Sequence, residues 1–226
     1  KDADLIHFHS SGVFDSFKAA KMKKKYRVPV IYSLYSVSKT EPFNHFRNHI
    51  AQRYYLRKRK TSFLLSYSAV LPLWLRGFRL WALDAVVTPS YFVKKMLGKN
   101  AELIRLGINT QKFKPVKLKN EKLTVGYFGH PSVYKGVLDF AHASRLFPDT
   151  CVSYIYVSDL SDRIAASLNQ INPRLKIIGH VKDIAAEYNQ MDVIVLPYRS
   201  HLAGVANPLV LLEAMACGKA IITTDF

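Results

Sequence analysis

The sequence predicts an α/β fold built from open parallel sheets, and three observations carry that expectation. Short apolar runs alternate with helix-like stretches for most of the chain, the pattern of a sheet covered by helices on both faces. The 226 residues are 49% apolar and 22% charged, a composition that supports a substantial core and excludes disordered or low-complexity classes. At roughly 100 to 200 residues per domain the length suits one large domain or two smaller ones, and a step in charge near residue 120 divides it in two.

Taken in order, Lys1-Asp2-Ala3-Asp4 runs directly into the strand-like Leu5-Ile6-His7-Phe8, so a first strand is expected at 4–8. Further strands are expected at 28–33, 85–88 and 102–105, then at 123–128, 152–157, 175–178, 193–196 and 220–224. Helices are expected between them at 14–25, 90–97, 137–146, 162–171, 184–190 and 208–217. The last helix carries its own start signal: Asn207 can cap the first turn while Pro208 occupies the first helical position, where its missing N–H costs nothing. Ile221-Ile222-Thr223-Thr224 is a β-branched run expected to be a buried strand. With no initiator Met, no signal peptide and a strand at its very end, the chain reads as an excised piece with elements missing at both ends.

The charge is unevenly distributed. Residues 1–120 hold 24 basic and 6 acidic side chains, net +18, whereas residues 121–226 hold 9 and 10, net −1. An anionic partner is therefore expected for the first half alone: a membrane surface, a nucleic acid or an acidic substrate. Residues 43–83 break the alternating rhythm by combining aromatics with Arg and Lys. Within them, residues 61–75 are uncharged but number only 15 and include Pro72, against the roughly 20 apolar residues a spanning helix needs. Basic flanks around Trp74, Phe78 and Trp81 suit a helix lying in a membrane interface, and the plainer alternative is a pair of domain helices with solvated cationic faces. Cys151 and Cys217 are too few for a disulfide framework and lack metal-ligand spacing, which points to a reducing, cytoplasmic compartment.

Two segments carry chemistry. In Gly126-Tyr127-Phe128-Gly129-His130-Pro131-Ser132-Val133-Tyr134-Lys135-Gly136 a strand ends in a glycine-bearing loop and a helix begins. Gly129 lets the backbone approach a ligand, and Lys135 places a cation beside exposed helix N–H groups, an arrangement suited to an anion and shared with ordinary strand-to-helix turns. The second segment runs from Leu202 through Gly204-Val205-Ala206-Asn207-Pro208-Leu209 to Glu213 and Lys219 and opens another helix. The amides near Leu209 are free to meet a phosphate, and Glu213 interrupts an apolar helix, where its carboxylate can accept from ribose hydroxyls or serve a structural partner.

These segments resemble the GT-B glycosyltransferases of group 4, the glycogen-synthase and lipopolysaccharide-mannosyltransferase-like kind. Residues 129–136 match the family's G-R-L-x-x-x-K-G, residues 192–198 its D-V-x-V-L-P-S, and residues 205–221 its E-G-F-G-L-V-L-L-E-A-M-A-C-G-x-P-V-I, at identical spacing. In the first half, residues 4–9 resemble the D-V-x-H-x-H strand, 29–36 the P-V-V-x-T-x-H-x segment, and 104–115 the I-P-N-G-V-D-x-x-x-F-x-P hinge. The resemblance implies two Rossmann-like open parallel-sheet domains, each incomplete: an acceptor-side domain at 1–114 with the basic insert at about 43–83, a linker at 115–121, and a donor domain at 122–226.

It implies further that Gly129, His130, Lys135, Asn207, Pro208, Leu209 and Glu213 bind a nucleotide-sugar donor, with Lys135 and the Leu209 amides on the diphosphate and Glu213 on the ribose. His9 and Tyr35 fall on the acceptor side, and His9 is the one catalytic candidate. The expected reaction is sugar transfer with retention and without a metal or other cofactor. The acceptor would be a glycan or lipid-linked, on an enzyme peripheral to the inner face of the membrane. His130 stands where the family has arginine, Val205 replaces the first glutamate of an E-x7-E motif, and Tyr35 replaces a histidine. The competing expectation is a non-catalytic basic module binding nucleotide, membrane or nucleic acid, the last without a recognised motif. His7 and His9, two apart on a strand, share one side and lack further ligands at zinc-site spacing.

Overall fold

A computed structural model of the chain describes residues 3–10, 15–35, 47, 50–51, 54, 80–98, 101–199 and 208–225. They fall into two compact units, each an open sheet in which every pairing is parallel.

In the first unit the order of elements is β1 (Ile6–Ser10), α1 (Asp15–Tyr26), β2 (Val30–Leu34), a 3-10 turn at Leu80–Ala82, β3 (Ala85–Thr88), α2 (Tyr91–Leu97) and β4 (Glu102–Leu103). The strands lie side by side as β1-β2-β3-β4, with Ile6 opposite Val30 and Ser10 opposite Leu34. Val30, Tyr32 and Leu34 are fully buried against Ala19 of α1, Val86 of β3 and Val93 of α2. Alternation along the strands sends Ile6 and Phe8 into this core and leaves His7 and His9 exposed on the opposite side.

Asp84 joins three elements there: its carboxylate accepts from Lys23 Nζ of α1 at 2.8 Å and from the Val30 amide at 2.8 Å. The Lys23 hydrogen bond and then the Val30 amide hold the Asp84 carboxyl below its usual pKa. Helix α1 is followed by Arg27, whose φ of 55° is the left-handed conformation that usually falls to glycine.

The second unit comprises β5 (Leu123–Gly129), a 3-10 turn at Val133–Lys135, α3 (Val137–Ser144), β6 (Cys151–Val157), α4 (Asp162–Ile171), β7 (Lys176–Ile178), α5 (Ile184–Gln190), β8 (Val193–Leu196), α6 (Leu209–Ala216) and β9 (Ala220–Thr223). Its strands are ordered β7-β6-β5-β8-β9. Side chains alternate across the sheet into two cores. Val125, Tyr127 and Ile155 pack with α3 and α4, while Phe128, Tyr156 and Ile194 pack with α5 and α6. The unit is thus a doubly wound, Rossmann-like sheet, the fold class expected from the sequence.

Local chemistry sets the element ends. Ser90, expected within a helix, caps α2 instead, its hydroxyl accepting from the Val93 amide at 3.3 Å. Asp183 caps α5 by accepting from the amides of Ala185 and Ala186. Pro208 immediately precedes the first helical residue of α6, and its expected cap, Asn207, lies outside the described residues. Buried Asn189 on α5 ties down the chain at 114–116, accepting from the Val116 amide at 2.9 Å and donating to the Lys114 carbonyl at 3.1 Å. Of the basic insert, only residues 47, 50, 51, 54 and 80–83 are described. Among the described residues no helix is long and apolar enough to cross a membrane.

One backbone contact governs the centre of the second unit. Gly136, with φ 76°, presses against the end of β8 so closely that a Cβ there would stand 1.8 Å from the Pro197 carbonyl oxygen. Gly136→Ala is expected to cost about 2–4 kcal/mol, from the left-handed backbone together with overpacking, measured as a lower urea midpoint at unchanged m-value; a midpoint equal to wild type would contradict the contact.

Candidate functional site

In the second unit the chain steps outward from β5 through β6 to β7, then returns to the other side of β5 for β8 and β9. The strand order thus reverses between β5 and β8, a switch point of the kind at whose carboxyl edge open parallel sheets bind ligands. The connections that leave these two strands are fastened together. Gly136 meets Pro197, the Arg199 amide donates to the Tyr134 carbonyl at 2.9 Å, and the Arg199 guanidinium grips Asp139 with two hydrogen bonds of 2.6 Å. That bond raises the Arg199 pKa still further, so the clamp stays charged. Within the first connection, the buried Tyr127 hydroxyl donates to the His130 carbonyl at 3.1 Å and fixes the turn.

A cavity of about 460 Å³ opens here, within the size range of small-ligand sites. Gly129, His130 and Lys135 from the first turn line it together with Val210 of α6. The first turn and the first turn of α6 thus face one cavity, while residues 200–207, which form most of the second expected turn, lie outside the described residues.

The Lys135 side chain is half-buried, and burial lowers its pKa below the ordinary lysine value. No acidic side chain among the described residues pairs with it. His130 Nε2 lies 3.8 Å from Asp159 Oδ2 at the same rim.

The inner wall is aromatic. Phe128 and Tyr156 stack at 4.3 Å and 3°, and Tyr188 leans on Phe128 at 4.6 Å and 60°. Each ring hydroxyl finds a carboxylate: Tyr156 donates to Glu187 at 2.7 Å and Tyr188 to Glu213 at 2.9 Å. Glu213 does not itself line the cavity. It stands one turn beyond Val210 on the same helix face, and no cation among the described residues pairs with it. Leu209 is 49% exposed at the start of α6. Asn207 and Val205 lie outside the described residues.

His180, Lys182 and Tyr188 also line the cavity, and sequence reasoning missed all three. His180 and Lys182 add two more basic groups beside Lys135. The available signal was the position of the β7–α5 connection, which also leaves the carboxyl edge of the sheet.

In the first unit, His9 and Tyr35 are brought together: His9 Nδ1 and the Tyr35 hydroxyl are 2.6 Å apart, with the rings stacked at 6.0 Å. His7 bonds the Ser33 hydroxyl at 2.7 Å and lies 4.0 Å from the His9 ring. Burial, then the neighbouring His9, lowers the His7 pKa. Among the described residues no group of three His, Cys, Asp or Glu side chains is placed to hold a metal ion.

Residues 120–226 match the family described as Glycosyl transferases group 1. No curated protein sequence matches the chain. Among solved structures, the chain is similar to Anabaena Alr3699/HepE in complex with UDP and glucose, with a TM-score of 0.67 at 17% identity, covering 98% of this chain and 59% of that one. It is similar to the lipopolysaccharide outer core galactosyltransferase WaaB, with a TM-score of 0.59 at 14% identity, covering 98% and 56%. For the catalytic domain of starch synthase IV from Arabidopsis thaliana, bound to ADP and acarbose, the TM-score is 0.58 at 12% identity, covering 99% and 57%.

The chain thus spans less than two thirds of the length of these proteins. Its fold is of the GT-B type, and the family match covers the three donor-side motifs read from the sequence.

The electrostatics of Lys135 have a direct readout. Deprotonation removes the charge that attracts an anion, so affinity for inorganic pyrophosphate should fall as pH rises. The fall should set in below the ~10.4 of an ordinary lysine because burial has depressed the free-state pKa. Titration calorimetry between pH 7 and 10 measures this, and a flat profile would contradict the placement of Lys135 at the anion.

Proposed function

We propose that the protein is a glycosyltransferase of the GT-B, group-4 kind, which transfers a sugar from a nucleotide-sugar donor to an acceptor hydroxyl. The single observation that carries this reading is Lys135: a half-buried ammonium without an acidic partner among the described residues, in a cavity at the switch point of a Rossmann-like sheet. Such a cation is stabilised by an anionic ligand, and a diphosphate is the anion whose charge grows as the sugar departs. In this reading Lys135 and the first amides of α6 at Leu209 hold the diphosphate, with Gly129 and His130 beside it, and Asn207 and Pro208 lead into the helix. Glu213 accepts from the ribose diol.

The bond from the anomeric carbon to the diphosphate breaks, its electron pair leaving with the nucleoside diphosphate. A new bond forms to the acceptor oxygen, whose proton passes to the departing diphosphate. His9, paired with Tyr35, is the proposed acceptor-side group. Retention of configuration and independence from metal follow the group-4 resemblance, with fixed cations stabilising the leaving group. The UDP and glucose held by the Anabaena protein and the ADP held by the starch synthase support a nucleotide-sugar donor.

Incubating the purified protein with UDP- and ADP-sugars should release nucleoside diphosphate. Lys135→Ala and Glu213→Ala should each weaken UDP or ADP binding by about 10- to 100-fold, the range for a hydrogen bond to a charged group. Wild-type affinity in both variants would remove the site assignment.

The charge of the first half supports a lipid-linked acceptor and a peripheral place on the cytoplasmic face of a membrane. Lys18, Lys21, Lys24 and Lys25 all stand exposed along α1, and each basic residue near anionic lipid contributes ~1 kcal/mol. In a salt series, the protein should co-sediment with vesicles containing phosphatidylserine and be released as salt rises. Pelleting indifferent to anionic lipid would remove the membrane proposal, and tight salt-sensitive binding to DNA or RNA would favour a nucleic-acid-binding module instead.

A further inference from the structure

Tyr188 comes from α5 and Glu213 from α6, and the 2.9 Å hydrogen bond from the phenol to Glu213 Oε2 joins the two helices beside the cavity. The Tyr188 ring is 1% exposed. It is held in place by Phe128 at 4.6 Å and Phe113 at 6.2 Å, so its hydroxyl has one direction in which to point. Glu213 Oε1 accepts no hydrogen bond from any described residue.

A lysine or arginine at the position of Tyr188 would neutralise the carboxylate, and arginine would occupy both oxygens. A phenol does neither: it engages one oxygen and leaves the other, with its charge, for a ligand. Burial, and then the Glu213 charge, pushes the Tyr188 pKa up, so the phenol remains a donor throughout the working pH range.

We infer, resting on the donor-site reading above, that Tyr188 is a positioning residue: it fixes the Glu213 carboxylate at the angle from which that group accepts hydrogen bonds from the ribose diol of a nucleotide. Discrimination between a ribonucleotide and its 2′-deoxy analogue therefore depends on the Tyr188 hydroxyl, while affinity for the diphosphate does not.

The test measures binding of UDP, 2′-deoxy-UDP, ADP, 2′-deoxy-ADP and inorganic pyrophosphate by calorimetry. The proteins are wild type, Tyr188→Phe, Glu213→Ala and the double variant. Tyr188→Phe removes one oxygen and keeps the ring packing, and a thermal melt reports its fold.

The expected result is a wild-type preference for the ribo form of about tenfold or more for at least one base. That preference should fall to within about threefold in Tyr188→Phe, with pyrophosphate binding unchanged. Tyr188→Phe should then add nothing in the Glu213→Ala background. Full ribo preference in Tyr188→Phe, or equal weakening of nucleotide and pyrophosphate, overturns the inference and leaves the donor site standing. A wild type that binds pyrophosphate and nucleotide without ribo preference overturns the ribose role of Glu213 and this inference with it. A wild type that binds none of the probes overturns the donor-site reading itself.

Discussion

The left-handed backbone at Gly136, pressed against the Pro197 carbonyl, is the constraint on which the candidate site depends. It lets the turn after β5 close to within van der Waals distance of the chain leaving β8, an approach that no side chain larger than hydrogen permits. The Tyr134 carbonyl and the Arg199 amide then meet in a backbone hydrogen bond, and Asp139 and Arg199 reinforce it with a two-pronged ion pair. Lys135 is the residue immediately before this glycine. Its position in the crevice is thus a consequence of backbone packing among its neighbours rather than of any bond its own ammonium makes.

Two half-buried charged groups of the second unit, Lys135 and Glu213, have no oppositely charged side-chain partner among the described residues. Lys135 shares its cavity with His130, His180 and Lys182, and Glu213 is bonded by a neutral phenol. Partial desolvation of a charge is unfavourable, and burial disfavours the charged form of Lys135. In the proposed reading, a ligand carrying negative charge at one end and hydroxyls at the other would meet both. A purely architectural origin would favour ion pairs like the one between Arg199 and Asp139, which this same region builds a few ångströms of chain away.

Much of this architecture was legible in the sequence, and the reason is periodicity. β3 and β8 coincide with their expected spans because both faces are covered, which requires consecutive apolar residues such as Val193-Ile194-Val195-Leu196. α4 and α5 also coincide, bounded by Ser161 and Asp183. β1 was placed two residues early because its pairing with β2 begins only at Ile6. β4 is shorter than the expected 102–105: its paired residues are Glu102 and Leu103, and the Ile104 amide makes one last hydrogen bond to the Thr88 carbonyl.

Lys135 was found from the glycines around it, which betray a turn. The Tyr188–Glu213 bond was not, since it joins side chains of two helices 25 residues apart, and sequence carries no record of which way a phenol points. Val205, Asn207 and most of the basic insert lie outside the described residues.

Because all the pairings are parallel, no strand of the second unit can zip onto its sequence neighbour through a tight hairpin. The join at the switch point is the most remote of them: Asp192, at the foot of β8, caps the Thr124 amide of β5 from 68 residues away. Closing so long a loop carries an entropic cost that must be met before the contact returns anything. The β5–β8 seam, at whose carboxyl edge the candidate site lies, is therefore the one in this sheet with the longest loop to close.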